Sequence, residues 1–180
     1  MARNSRRGFV SLAVATGGLL LAGSPAAANP RPLEAPDPFG ASRRERVNKG
    51  LVRRAFVRQN TGGSFYEILD EHVMWTVVNG RTYLGKQEFL DEGSAPILTR
   101  LATNLHMTVQ NLWADDDTVI ARFEGTATAL DGLPYRNEYC WVLTLRRNAV
   151  VRAYAYLDMV AVADLVERVP VPRPSARERD

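Results

Sequence analysis

The spacing of apolar positions along the chain changes from helical to alternating about halfway. Between Arg43 and Asn60, Val47, Leu51 and Ala55 recur every four residues, Val52 and Phe56 widen the stripe, and charges fill the other positions. That period lines one side of a helix and predicts one over residues 43–60, stopped by Thr61-Gly62-Gly63. Ser64-Phe65-Tyr66-Glu67 has the spacing of a capping box, in which a hydroxyl and a carboxylate each satisfy a free backbone N–H. It predicts a short second helix to about Asp70. The run from His72 to Val78 is β-branched and aromatic and predicts a strand, with Asn79-Gly80 as a turn. Lys86 to Glu92 predicts a short helix after Gly85, and Pro96 starts a further helical turn or a loop.

Beyond residue 102 the pattern alternates. Four runs, 103–113, 118–129, 135–146 and 149–158, are separated by short turn-forming segments and predict an antiparallel meander. Met159 to Val169 returns to a helical spacing. Helices first and a meander after give an α+β order, α-α-β-α-β-β-β-β-α, with helices packed on one face of a curved sheet. Strand residues two apart share a face. Tyr139, Trp141, Leu143 and Leu145 share one, and Val151, Ala153, Ala155 and Leu157 form the apolar face of the last run. With these inside, the interior sees Tyr139, Trp141, Ala153 and Ala155, with Asn137 at the strand start. Asp158 falls on the opposite face, directly before a helix whose first-turn N–H groups a carboxylate can accept. It therefore reads as a helix cap in preference to a catalytic acid.

The two ends change the electrostatic picture. Residues 1–28 carry Arg3, Arg6 and Arg7, no acid, an uncharged apolar run from Gly8, and a close on Ala26-Ala27-Ala28. Interrupted by Gly17, Gly18, Gly23 and Pro25, the run suits a cleaved export signal better than an anchor of about 20 strongly apolar residues. Ser5-Arg6-Arg7-Gly8-Phe9-Val10 resembles the twin-arginine export motif. The expectation is a periplasmic or extracellular protein, cut after Ala28, that meets a membrane only through this signal. Without those three arginines, 20 basic residues face 20 acidic ones, so a footprint for nucleic acid is not expected. Residues 29–42 hold four prolines and read as a linker, and 170–180 as a disordered tail. One domain over 43–169 is expected to fold. Cys140 is the single cysteine, so no internal disulfide is possible, and mid-strand it reads as a sheet residue. His72 and His106 have no metal-ligand spacing, and no glycine-rich phosphate loop is present, so neither metal nor cofactor is expected.

Three segments, LDEHVMWTVVNGRTYLGKQEF (69–89), DDDTVIARFEG (115–125) and GLPYRNEYCWVLTLRRNAVVRAYAYLD (132–158), carry a resemblance. The last has the spacing G-x-x-Y-x-N-x-Y, then a strand, a tight turn and a strand ending Y-x-D. In these the chain resembles the nuclear-transport-factor-2-like superfamily, in its SnoaL-like and ketosteroid-isomerase-like branch, over residues 43–166. The resemblance implies a cone-shaped α+β barrel with an apolar pocket at its open end, usually in a homodimer. The family includes isomerases, dehydratases, cyclases, epoxide hydrolases and proteins with no catalytic role, so the fold leaves activity open. Its last turn is commonly Asp-Gly; here Arg147-Asn148 stands instead, and asparagine tolerates positive φ.

Epoxide hydrolases and cyclases of the superfamily carry an acid on the last strand, three residues before the strand-end aspartate. That position is Ala155. Arg122-Phe123-Glu124 imitates the Arg-x-Asp of such hydrolases without that partner. Opening an epoxide needs a base for water and an acid for the leaving oxygen, so the sequence argues against that mechanism. His106, at the start of the first meander strand, and Glu124 are the candidate proton carriers. Trp75, Asn137, Tyr139, Trp141 and Ala155 are the candidate ligand contacts. Two functions stay open: an exported, metal-free acid–base isomerase, dehydratase or cyclase acting on a small apolar molecule, and a non-catalytic dimeric ligand-binding or scaffold module.

Overall fold

The computed structural model describes residues 40–170. The expected export signal, most of the linker and the tail from residue 171 onward lie outside the described residues. Helix α1 spans Arg43–Asn60 as its period predicts, and its start is a reciprocal capping box: Ser42 Oγ accepts from the Glu45 N–H, and Glu45 accepts from the Ser42 N–H. Its buried side differs from the expected stripe, because Val47 is 47% exposed and the side packed inward runs through Asn48, Val52, Ala55, Phe56 and Gln59. The two amides are inside because each bonds the main chain. Asn48 donates to the Asp116 carbonyl; Gln59 donates to the Leu105 carbonyl and accepts from the Phe65 N–H. A polar side chain so satisfied can occupy the apolar face of a helix.

The Ser64–Glu67 capping box caps a single 3₁₀ turn, Phe65–Ile68, and the chain is already extended at Leu69. Strand β1 (Leu69–Val77) then turns through Asn79, whose φ is +64°, into β2 (Thr82–Leu84). This three-residue strand is absent from the expected order. Next come α2 (Lys86–Glu88), a wider π-helical segment (Phe89–Ser94) and α3 (Ala95–Leu98) as one continuous helical stretch. The meander is β3 (His106–Asp115), β4 (Thr118–Thr128), β5 (Pro134–Arg146) and β6 (Ala149–Leu157), followed by α4 (Met159–Arg168). The β5–β6 turn uses positive φ at both Arg147 and Asn148.

The six strands form one curved, unclosed sheet in the order β2-β1-β6-β5-β4-β3. All neighbours are antiparallel except β1 and β6. Strand parity holds along β4 and β5, where Val119, Ala121 and Phe123, then Tyr139, Trp141, Leu143 and Leu145, are buried. On β6 a bulge makes Val151 an extra residue, so Val150 is buried in its place and the apolar set continues at Ala153 and Ala155. Gly125 is required by close approach: a Cβ there would stand 2.8 Å from the Tyr139 ring. The interior is an aromatic cluster. Trp75 stacks on Phe89 at 4.2 Å, Phe123 lies flat on Tyr139 at 4.8 Å, and Trp141 meets Trp75 edge-on at 5.0 Å.

Candidate ligand site in the cone

Between the buried sheet face and the helical stretch of residues 89–98 lies a cavity of about 40 Å³. Trp75, Tyr139, Trp141 and Ala155 contribute sheet-side walls; Phe89, Ser94 and Ile97 close the other side, with Tyr66 from the 3₁₀ turn. The space exists because small residues sit between large ones. Ala153 pairs with Trp75 across the β1–β6 ladder, and Ala155 pairs with Trp141 across β5–β6. An acid at position 155 would project into this space. Its place is taken by a methyl group, and the wall is apolar there.

The polar groups at the cavity are arranged directionally. The Asn137 amide is oriented by its partners: the Asp158 N–H donates to Oδ1 at 2.9 Å, and Nδ2 donates to the Asp158 carbonyl at 2.9 Å. Nδ2 also donates to the Tyr135 hydroxyl at 3.1 Å, and that hydroxyl is 3.0 Å from the hydroxyl of Tyr139. Tyr135 is 2% exposed, and among the described residues Tyr139 is the remaining partner for its proton. A buried O–H left without an acceptor costs about 1–3 kcal/mol. Either hydroxyl can donate the bond between them; when Tyr135 donates it, Tyr139 has its own proton for the cavity it lines. Burial raises the Tyr139 phenol far above its ordinary range and raises Tyr66 too, with Ser94 opposing the Tyr66 shift through a hydrogen bond. Both remain neutral donors at physiological pH.

Of the expected ligand contacts, Trp75, Tyr139, Trp141 and Ala155 line the cavity. Asn137 does not; it sits one hydrogen bond behind Tyr139's partner, holding Tyr135 and the start of α4. The expected proton carriers stand elsewhere. His106 is exposed and pairs with Thr126 on the outer side of the sheet. Glu124 shares the parity of Arg122 and Thr126, opposite to the buried Phe123, and forms an ion pair with Arg136 at 2.6 Å. Strand alternation is the reason in both cases: Met107 and Phe123 take the inward positions next to them. Among the described residues no histidine or carboxylate lines the cavity, and no group of histidine, cysteine and acidic side chains is placed to hold a metal ion. The residues that sequence reasoning missed are Tyr135, Tyr66 and Ser94. Tyr135 was within reach, since Tyr135, Asn137 and Tyr139 share one strand parity. Tyr66 and Ser94 lie outside the meander and carry no such signal.

The family model of the SnoaL-like domain matches residues 51–153, and the chain belongs to that family. Solved structures with the same fold include a putative SnoaL-like polyketide cyclase from Jannaschia sp. CCS1, 16% identical over 74% of this chain and 99% of that one, with a TM-score of 0.59. TerC, co-crystallised with polyporic acid, is 19% identical over 67% of this chain and 98% of its own, with a TM-score of 0.56. A putative isomerase from Bacillus subtilis is 21% identical over 68% and 95%, with a TM-score of 0.53. At these identities the likeness is one of fold. No curated relative matches the sequence.

Proposed function

We propose that this domain binds a small, largely apolar organic molecule and grips it through one hydrogen-bond acceptor, such as a carbonyl oxygen, placed against the Tyr139 hydroxyl. The observation that carries the reading is the hydrogen-bonded chain from Asn137 through Tyr135 to Tyr139. It holds a buried, neutral phenol at a space that is apolar apart from this group, Tyr66 and Ser94. A donor without a nearby base can hold and polarise a carbonyl but cannot itself take a proton from carbon. The non-catalytic ligand-binding reading is therefore favoured over acid–base isomerisation. The co-crystallisation of TerC with an organic acid and the name of the Jannaschia protein are in keeping with a small organic ligand.

The reading extends to setting and assembly. The export signal expected in residues 1–28 supports binding outside the cytoplasm. The outer face of the sheet supports a homodimer: Trp113, Ile120, Val142 and Tyr154 are paired in one row across four strands, and Trp113 and Tyr156 are each 49% exposed. On the same face Arg122 pairs with Glu138 and Arg136 with Glu124, so signs alternate. A second copy turned end for end sets its glutamates against these arginines while burying the aromatic row. Native mass spectrometry of the exported protein tests the binding claim. A retained organic mass that is absent from an Ala155→Phe variant is expected; the same mass on that variant would place the ligand outside the cavity.

A further inference from the structure

A second hollow, of about 350 Å³, adjoins the cavity on the side of α4. It is lined by Tyr83, Pro96, Met159 and Val162 among others, and its charged groups are Arg81 and Glu92, which pair with each other. The two spaces share four residues: Val77 at the end of β1, Leu157 at the end of β6, and Gly93 and Ile97 from the helical stretch. Neither space suffices alone. The inner one has the Tyr139 hydroxyl but room for only a few waters, whereas pockets for organic ligands measure roughly 300–1,000 Å³. The outer one has that volume, but its cation is already paired with Glu88 and Glu92 and lies over the Tyr83 ring at 4.7 Å.

The residues that line both are three aliphatic side chains, all half-buried, and a glycine with none. Ile97 and Leu157 can change rotamer without exposing a polar group, and Gly93 offers only backbone. Gly93 also belongs to the π-helical segment, a geometry that widens a helix locally and recurs at functional sites.

We infer that the two spaces form one ligand channel, partitioned by Ile97 and Leu157, for an elongated apolar molecule. Its carbonyl-type acceptor lies on Tyr139 and its far end lies uncharged between Tyr83 and α4. The far end is uncharged because Arg81 with Glu88 and Glu92 already forms a paired cluster beside it, leaving no free partner for an ionised group. The inference rests on the binding reading above and adds the shape of the ligand.

Acetophenone and 4-acetylbiphenyl, the same ketone with a second ring in line, separate the two claims when titrated by tryptophan fluorescence. Wild type is expected to prefer the biphenyl ketone by about tenfold, in keeping with the burial of one more ring. Val162→Trp and Met159→Trp, which fill the outer space, should collapse that preference toward unity, and Ile97→Ala should enlarge it. Melting curves identify any variant that fails to fold. A tenfold preference that survives both tryptophan variants, or that Ile97→Ala leaves unchanged, overturns the channel, while Ala155→Phe tests the binding reading separately. Ketone binding that is indifferent to Ala155→Phe overturns the binding reading itself.

Discussion

Tyr139 carries the proposed ligand contact, and it is positioned by residues that do not line the cavity. The Asn137 amide is fixed by the main chain at Asp158, Tyr135 is fixed by Asn137, and the Tyr135 hydroxyl shares a hydrogen bond with that of Tyr139. Sequence parity placed Asn137 and Tyr139 on the inner face but not the hydrogen bonds that join them through Tyr135, which need distances. Glu124 and His106 attracted attention as residue types able to move protons; alternation, read from their own neighbours Phe123 and Met107, sends both outward. Burial also raises the phenols of Tyr66, Tyr135 and Tyr139 above 10.0. A group that holds its proton more tightly when folded gives full stability below its unfolded pKa, and that stability declines as pH rises beyond it. Urea unfolding should therefore show near-constant stability from about pH 8 to about pH 10, then a loss of up to about 1.4 kcal/mol per pH unit for each of these tyrosines. A flat profile to about pH 11 would mean that these phenols are solvated.

Among the elements, those with a strong local signal matched their expected limits, while those defined by pairing did not. Helix α1 and the meander follow from period and turn chemistry. β2 has three residues and no period to detect; it exists because Tyr83 lies opposite Trp75. The predicted second helix shortened to one 3₁₀ turn because Leu69 is taken into the parallel β1–β6 ladder. The β6 bulge, invisible in the sequence, exchanges Val151 for Val150 in the core. The start of α4 was legible: Asp158 Oδ1 accepts from the Val160 and Ala161 N–H groups at 2.8 and 3.3 Å. Asp158→Ala should cost about 1 kcal/mol in chemical denaturation and leave ligand retention intact. Lost retention with an unchanged melting temperature would instead make Asp158 part of the site.

At the scale of the whole molecule, the sheet has two distinct faces. One closes on a small aromatic cavity, and the other carries the row from Trp113 to Tyr154 on which the proposed dimer rests. Sedimentation velocity should find a dimer at micromolar concentration, and Trp113→Glu should yield a monomer with an unchanged circular dichroism spectrum. A monomeric wild type would contradict the assembly and leave the cavity untouched. The cavity claim has its most direct measurement in acetophenone titration of the wild type and Tyr139→Phe, with Trp75 and Trp141 as reporters in the wall. Binding weakened by about three- to tenfold is expected, the worth of one hydrogen bond to a carbonyl, together with a lower melting temperature because Tyr135 loses its buried partner. Equal affinity in the two proteins would contradict the claim.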